Sequence, residues 1–264
     1  IHKAQGMRHR FAGLYAETGE AVAHALRLVD EGADILDVGG ESSRPRGQAY
    51  GEGAEPVSTL EEIRRVVPVI EALAQQTDVP LSVDTTKSEV AEAALQAGAT
   101  IVNDVSGFTL DPGLPAVIAR AGAAAVVMHM RGSPRTMQQD THYDDLFGEV
   151  LGSLRQSVAA GRAAGIDRIM VDPGIGFGKD ARGNLRLLAG IERFRELGCP
   201  VLVGPSRKAF IGTILGTSVG DRVEGTIAAC VLAAAQGARF FRVHDVRAVR
   251  RALSVADAIL ISRE

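Results

Sequence analysis

A repeated unit constrains the fold of this chain more than any other sequence feature. The unit consists of a helical segment, a glycine or tight turn, a short apolar run, and a polar residue where the run stops. Seven runs fit this description, at residues 33–38, 81–83, 101–105, 124–130, 169–171, 201–203 and 240–243. Runs that are apolar almost throughout are typical of parallel strands covered by helices. The repeat therefore predicts parallel strands that alternate with helices.

The segments between the runs carry helical patterns. Apolar residues at helical spacing form two stripes, Leu60, Ile63, Val67 and Ile70 in one and Val22, Leu26 and Val29 in the other. Ser58 with Glu61, and Thr86 with Glu89, have the spacing of capping boxes at helix starts. Glycines stand where the helices are expected to end, at Gly32, Gly98, Gly122, Gly165, Gly198 and Gly237.

Parallel strands that alternate with helices form either a closed (β/α)₈ barrel or an open doubly wound sheet. The length of 264 residues and the number of repeats favour an α/β fold of the TIM-barrel type, as one domain over 1–264. An open nucleotide-binding sheet should carry a glycine fingerprint, and residues 174–179 fit neither common form. A barrel needs eight strands. The first strand and loop are not recognisable, because residues 1–19 contain no convincing apolar run.

Composition excludes several classes of partner. With 29 Lys and Arg against 32 Asp and Glu, the formal net charge is −3, and no basic block predicts a nucleic-acid surface. The 2 cysteines lack metal-ligand spacing, which indicates free thiols in a reducing compartment. No apolar stretch is long enough to span a membrane, and the first residues do not resemble a secretory signal. We therefore expect a cytoplasmic protein without nucleic-acid or membrane partners.

Every unit has a polar residue at or just beyond its apolar run. These residues are Asp37, Asp84, Asn103, Asp104, His129, Asp172, Ser206, His244 and Asp245. In a parallel barrel such positions converge on the face where the loops after the strands build the active site. Turn chemistry alone also selects Asp, Asn and Ser, so for any one residue a structural role stays open.

Cations occur near the same predicted edge, in residues 41–46, 206–208 and 242–245. Converging Arg, Lys and His side chains indicate an anionic group, most simply phosphate or pyrophosphate. Solvated loop charges are the alternative, except for Arg242, which lies inside an apolar run where an unpaired charge is costly. Met128 and Phe177 are candidates to pack against a flat ligand.

These segments together resemble the dihydropteroate synthase family of folate biosynthesis. The matching motifs are DVGGESSRP at 37–45, SVDT at 82–85, NDV at 103–105, MHM at 128–130, DPGIGFGK at 172–179, SRK at 206–208 and RVHD at 242–245. The resemblance extends over about residues 20–261. It implies a (β/α)₈ barrel, commonly a homodimer, and a transferase that is a sulfonamide target. The implied reaction joins 6-hydroxymethyl-7,8-dihydropterin pyrophosphate to 4-aminobenzoate, usually with Mg²⁺, and releases pyrophosphate and 7,8-dihydropteroate.

The resemblance also implies roles for individual residues. For the pterin these are Asp84, Asn103, Met128, Asp172, Phe177, Gly204 and Lys208. For the pyrophosphate they are Ser43, Arg44, Arg242 and His244, and for 4-aminobenzoate they are Arg44, Pro45, Phe177, Ser206 and Lys208. The residues implied in catalysis are Arg44, Lys208, Arg242 and His244, and no nucleophilic side chain is required.

The chain departs from the family in its first strand and loop. Family members carry a segment of the type NVTPDSFSDGG there, whose Asn approaches the metal-bound pyrophosphate, and this sequence has no such segment. The metal ligand is therefore unknown. The missing segment motivates one alternative to a synthase, a pterin-binding homologue without catalysis. A second alternative is a methyltetrahydrofolate-dependent methyltransferase, which resembles the family in fold and pterin site. The latter needs no pyrophosphate pocket, so the retained Arg44, Arg242 and His244 argue against it.

Overall fold

The computed structural model of this chain describes residues 5–8, 18–42 and 56–262. In this part of the chain the strands are β1 (Gln5–Arg8), β2 (Ile35–Gly39), β3 (Leu81–Asp84), β4 (Ile101–Asp104), β5 (Ala124–Met128), β6 (Ile169–Asp172), β7 (Leu202–Val203) and β8 (Phe240–Arg242). They pair in the order β6-β5-β4-β3-β2-β1-β8-β7, and every pair is parallel. A parallel bridge between Val171 and Val201 joins the two ends of this order and closes the barrel. The predicted (β/α)₈ fold is confirmed.

Helices follow the strands and cover the outside of the barrel. They are α1 (Thr18–Asp30), α2 (Thr59–Ala74), α3 (Ser88–Gln96), α4 (Leu114–Arg120), α5 (Leu146–Ala163), α6 (Ala181–Ala189), a 3₁₀ helix (Ile191–Leu197), α7 (Ala209–Leu215), α8 (Val223–Ala235) and α9 (Val246–Ile261). All seven predicted apolar runs coincide with strands β2 to β8. Strands β2 to β7 are buried throughout because helices cover one face and the barrel interior covers the other.

The two faces of the strands have different partners. Side chains on the outer face of the strands, such as Leu36, Val102 and Val127, belong to the large apolar cluster that includes the helices. Side chains on the inner face form a small separate cluster inside the barrel. It consists of Ile35, Ile101, Ala124, Val126, Met170 and Leu202, with Phe240 packed against it. Because side chains alternate along a strand, the residue two positions after each member of this cluster also faces the barrel interior. At the carboxyl-terminal side of the cluster, these residues are Asp37, Asn103, Met128, Asp172 and Arg242.

Strand β1 corrects the view that the first strand could not be recognised. Residues Gln5–Arg8 pair with β2 on one side and with β8 on the other, which is the place of a first barrel strand. The sequence of this strand, QGMR, contains a single apolar residue other than glycine. A search for apolar runs misses such a strand because only its pairing with two neighbours identifies it. Residues 9–17, between β1 and α1, lie outside the described residues.

The predicted helix boundaries are mostly confirmed. Ser58 caps α2 by accepting a hydrogen bond from the Glu61 amide, and the six predicted helix-ending glycines all have positive φ. The capping box at Thr86 and Glu89 is wrong, because α3 begins at Ser88 after Lys87, without a side-chain cap.

The apolar stripe of α2 is also corrected. Leu60 is 75% exposed, whereas Val66, Val69, Ile70 and Leu73 form the buried face. In the described ranges, no helix combines the length and apolar character that a membrane span requires.

Candidate functional site

Polar side chains line the interior of the barrel at the carboxyl ends of its strands. Asp84, Asn103 and Asp172 lie on β3, β4 and β6, and each is at most 7% exposed. Met128 at the end of β5 is adjacent to Asp172 in the register of the sheet, and its side chain is buried. The structure therefore brings these four predicted pterin neighbours to one mouth of the barrel.

Arg242 on β8 links the polar residues of the first strands. Its Nε lies 2.7 Å from Asp37 Oδ2, and its Nη2 lies 3.0 Å from Asp84 Oδ2. Asn103 Nδ2 donates to the same Asp37 oxygen at 3.1 Å. The sequence predicts an anionic ligand for Arg242 because an unpaired charge in an apolar run is costly, and in the structure this guanidinium has two carboxylate partners inside the barrel.

Burial and charge together set the pKa values in this cluster. Burial raises the pKa of Asp37, while Arg242 opposes this rise and the Asp84 charge adds to it. Burial by itself lowers the pKa of Arg242, but the two carboxylates outweigh burial and raise it. Arg242 is therefore a fixed positive charge among carboxylates. Burial also raises the pKa of Asp172 to about 6, although the Gly174 amide donates to it at 2.7 Å.

The loop after β6 places the Phe177 ring against the Lys208 ammonium. Lys208 Nζ lies 4.1 Å from the centroid of the Phe177 ring, a cation–π contact. Gly176, with φ +80°, makes this approach possible, because a Cβ there would lie 2.7 Å from Lys208 Cδ. The Lys208 charge also favours the ionised form of Asp172, which places Asp172, Phe177 and Lys208 in one group.

Lys179 fixes the conformation of the loop after β6. Its buried ammonium contacts the carbonyls of Phe177 at 2.7 Å and Gly174 at 3.0 Å, and His129 Nδ1 at 3.0 Å. Burial lowers the pKa of Lys179 to about 7 and that of His129 to about 3. Neutral His129 can therefore accept a hydrogen bond from the Lys179 ammonium at Nδ1.

The loops after β7 and β8 are joined at the edge of the mouth. Ser206 Oγ lies 2.8 Å from His244 Nδ1 and also accepts from the His244 amide at 3.0 Å. Gly204 is close to Arg242, since a Cβ on this glycine would lie 3.7 Å from Arg242 Cβ. The predicted residues of β7 and β8 thus share one edge of the site.

Ser43, Arg44 and Pro45 lie outside the described residues, so their predicted roles stay predictions. The described residues on either side of 43–55 are anchored by one side chain. Lys87 Nζ contacts Glu41 Oε2 at 2.5 Å, Glu62 Oε2 at 2.5 Å and the Val57 carbonyl at 2.8 Å. Glu41 and Val57 are thereby held at the same ammonium.

Three parts of the site were not assigned a role from the sequence. They are Asp37, the pair of His129 and Lys179, and an ion pair between Arg207 and Asp245. Asp37 carries a usable signal, because a carboxylate inside the apolar run 33–38 requires a buried partner, by the reasoning applied to Arg242. The other two depend on contacts between loops, which have no periodic signal.

The side chains of the site can be compared with the ligand set that a metal ion requires. Within residues 5–8, 18–42 and 56–262, no three His, Cys, Asp or Glu side chains are grouped to hold a metal ion. Asp37 and Asp84 are both engaged by Arg242. The described residues therefore do not fit a protein-bound Mg²⁺ centre.

Comparison with known proteins agrees with this geometry. A profile of the family described as pterin binding enzyme matches residues 9–244. The dihydropteroate synthase of Synechocystis sp. is 48% identical over 242 residues, which cover 90% of this chain and 81% of that protein. This chain belongs to the dihydropteroate synthase family of pterin-binding enzymes.

Solved structures of the family show the same fold. The dihydropteroate synthase of Stenotrophomonas maltophilia, with imidazole in its active site, is 45% identical with a TM-score of 0.89, covering 97% of this chain and 93% of that one. The Xanthomonas albilineans enzyme in complex with 7,8-dihydropteroate is 43% identical with a TM-score of 0.85, over 97% and 93% of the two chains. The resemblance derived from seven motifs is therefore confirmed.

Proposed function

We propose that this chain is a transferase that condenses 6-hydroxymethyl-7,8-dihydropterin pyrophosphate with 4-aminobenzoate. The observation that carries the proposal is the cluster of Asp84, Asn103, Asp172 and Lys208 at one barrel mouth with Arg242 and His244. The Synechocystis relative is named for this activity, and the Xanthomonas albilineans enzyme is solved with 7,8-dihydropteroate. The reaction breaks the carbon–oxygen bond of the pterin methylene, and forms a carbon–nitrogen bond.

The pterin is bound by its polar edge. The carboxylates of Asp84 and Asp172 accept from the aminopyrimidine N–H groups, and the Asn103 amide and the Lys208 ammonium complete the edge. Met128 and Phe177 enclose the ring, and Gly204 leaves room for it. Fixed hydrogen bonds to this edge favour the electron-rich form of the ring, which stabilises positive charge on the methylene carbon.

Pyrophosphate leaves with the electron pair of the broken bond. Arg242 and His244, together with Ser43 and Arg44, oppose the negative charge that grows on the leaving oxygen. The electron pair of the aniline nitrogen then attacks the methylene cation, and that nitrogen loses a proton. The products are 7,8-dihydropteroate, pyrophosphate and one proton.

Phe177 contacts the 4-aminobenzoate ring, and the carboxylate of this substrate accepts from the Ser206 hydroxyl. Lys208 supplies positive charge, and the resemblance also implies roles for Arg44 and Pro45 in binding this substrate. Ser206 is positioned for this role because His244 holds it from the adjacent loop. One edge of the mouth then contacts both the acceptor and the leaving group.

Mg²⁺ is proposed to accompany the pyrophosphate. Because Mg²⁺ commonly binds substrate phosphates and water through few protein ligands, it requires no protein cage. We assign it no catalytic step. Turnover should depend on added Mg²⁺, and turnover that persists in excess chelator contradicts this assignment.

The deciding experiment measures both products. Purified chain is incubated with Mg²⁺ and the pterin pyrophosphate, with and without 4-aminobenzoate, and pyrophosphate and dihydropteroate are quantified. We expect release that depends on 4-aminobenzoate, with a loss of at least about 100-fold in Arg242→Met, equivalent to about 2.7 kcal/mol in the barrier. Pterin binding without product identifies the non-catalytic homologue, and methyl transfer from methyltetrahydrofolate identifies the methyltransferase.

A homodimer is proposed through helices α8 and α9, which pack against each other. Leu232 on α8 is 63% exposed, and Val255 and Ile259 on α9 are 61% and 54% exposed. Exposed apolar side chains on adjoining helices favour association with a second copy. Light scattering should give the mass of a dimer for the wild type and of a monomer for Leu232→Glu with Ile259→Glu. A monomeric wild type overturns this proposal.

A cytoplasmic location is proposed for the same protein. Cys199 and Cys230 are both free and buried. This is typical of proteins in a reducing compartment. Fractionation of expressing cells should recover the chain with cytoplasmic markers, and recovery with membranes contradicts the proposal.

A further inference from the structure

An ion pair links the two loops that carry the edge of the site. Arg207 Nη2 lies 2.6 Å from Asp245 Oδ1, and Arg207 Nε lies 3.1 Å from Asp245 Oδ2. Arg207 stands between Ser206 and Lys208, and Asp245 directly follows His244. Two parallel N–H···O bonds of this kind fix orientation as well as distance. Together with the contact between Ser206 and His244, the pair joins the loops after β7 and β8 at two points.

The backbone at Arg207 shows that this loop is held in one conformation. Arg207 has φ +56°, in the left-handed region that non-glycine residues rarely occupy. Its amide donates to Thr226 Oγ1 at 3.2 Å, and its carbonyl accepts from Arg222 Nη1 at 3.0 Å. Such conformations are strained and persist where the surroundings over-determine them, often at functional sites. Here the surroundings comprise α8, its preceding residue Arg222, and Asp245.

We propose that Arg207 and Asp245 are positioning residues that set the distance between the aminobenzoate and pyrophosphate sides of the site. Neither residue needs to contact a substrate. The pair keeps Ser206 and Lys208, on one loop, in a fixed relation to Arg242 and His244, on the other. This inference rests on the proposed function, because it assigns the two loops to the two reactants.

The chain offers a matched control at the opposite end of the barrel. Arg250 Nη1 lies 2.7 Å from Asp34 Oδ2, just before β2, and joins α9 to the start of that strand. Side-chain exposure is 43% and 28% for this pair, against 33% and 24% for Arg207 and Asp245. A purely structural role predicts similar consequences for both pairs.

The first test separates 4-aminobenzoate from the pterin. In Arg207→Gln and Asp245→Asn, we expect the KM for 4-aminobenzoate to rise at least tenfold and kcat to fall, with a smaller rise in the pterin Kd, because Lys208 is one of several groups that bind the pterin edge. The double variant R207D/D245R restores the opposite charges, and should recover at least a third of wild-type kcat/KM. Arg250→Gln should stay within threefold of wild type.

Hydrogen exchange gives a second test that needs no turnover. We expect amides of residues 204–208 and 243–245 to exchange at least tenfold faster in Arg207→Gln, with no such change in Arg250→Gln. The proposal is overturned if both loops stay within twofold of wild type, or if Arg250→Gln alters the 4-aminobenzoate KM equally. A wild type that forms no dihydropteroate refutes the proposed function, and hydrogen exchange then decides the role of the ion pair.

Discussion

Two lysines of the barrel mouth differ in what surrounds their ammonium groups. Lys87, after β3, contacts Glu41, Glu62 and one carbonyl, whereas Lys179, after β6, contacts His129 and carbonyls. Burial acts to lower the pKa of both lysines, but the hydrogen bonds that Lys87 donates to Glu41 and Glu62 outweigh burial and raise its pKa. Among the described residues, no carboxylate accepts a hydrogen bond from Lys179, and burial lowers its pKa to about 7 despite the Asp172 charge.

The comparison shows that burial lowers the pKa of a lysine at this mouth unless bonded carboxylates outweigh it. Lys87 is 27% exposed and bonded to two carboxylates, whereas Lys179 is 3% exposed and its bonded partners are His129 and carbonyls. The region after β3 is a charged anchor that stays protonated across the physiological range. The region after β6 is a polar anchor whose charge depends on pH. The two anchors therefore predict different responses when each lysine is removed.

The largest effect is expected for Lys87→Met. Glu62 is 1% exposed, so loss of Lys87 leaves a buried carboxylate near Glu41 without its cation. Removal of one partner of a buried ion pair typically costs about 3–5 kcal/mol, and partial exposure of Lys87 reduces this to about 2–3 kcal/mol. Urea unfolding measures the difference. The double variant K87M/E62Q should recover part of it, and a loss below about 0.5 kcal/mol contradicts the anchor.

A smaller loss of unfolding free energy is expected for Lys179→Met at pH 6, about 1–2 kcal/mol, because carbonyls lose a hydrogen-bond donor but no carboxylate loses its cation. Urea unfolding measures this loss as well.

Between pH 7 and 10 the pH dependence of the unfolding free energy should distinguish the two anchors. The folded chain sheds the Lys179 proton near pH 7 while the unfolded chain keeps it to about pH 10.5. The unfolding free energy of wild type relative to Lys179→Met should therefore rise with pH, by up to about 1.4 kcal/mol per unit. The Lys87→Met difference should stay flat over this range.

His129→Asp gives Lys179 a carboxylate partner, and its anchor should then respond to pH as the Lys87 anchor does. A carboxylate at the position of His129 Nδ1 supplies the missing counter-charge and raises the pKa of Lys179. The rise in relative stability between pH 7 and 10 should then disappear, a change of about 1 kcal/mol per pH unit. His129→Asn is the control, because its amide oxygen keeps the acceptor without the charge. If His129→Asn abolishes the pH dependence equally, charge is not its cause.

The smallest effect is expected at an exposed pair. Arg155 and Glu196 are 63% and 48% exposed and lie 2.6 Å apart. Solvated pairs contribute little, so Arg155→Gln should change the unfolding free energy by less than about 0.5 kcal/mol, without a pH slope. A loss comparable to that of Lys87→Met would show that proximity alone stabilises these pairs.

Strands with a strong local signal were predictable, and those defined by partners were not. Runs such as 124–130 predict a buried strand because apolar side chains are required on both faces. β1 gives no such signal, since Gln5–Arg8 is identified only by its pairing with β2 and β8. The α2 stripe was misplaced for a related reason. Helical spacing alone does not show which face meets the barrel, and Leu60 is on the exposed side.

The candidate site divides in the same way. Asp84, Asn103 and Asp172 were found because each ends a strand, and parallel strands bring their ends together. The partners of Arg242 were not, because Asp37 lies 205 positions away in the chain. No local pattern reports a contact of that separation.

The sequence by itself determined the alternation of strands and helices, the edge on which the polar residues lie, and the family, because these depend on periodicity and on motifs read along the chain. The tertiary structure alone decided which charges are paired. Three ion pairs join residues from different elements of the fold: Asp37 with Arg242, Lys87 with Glu62, and Arg207 with Asp245. Electrostatic energy depends on distance in space and on exclusion of water, and neither is encoded in local spacing.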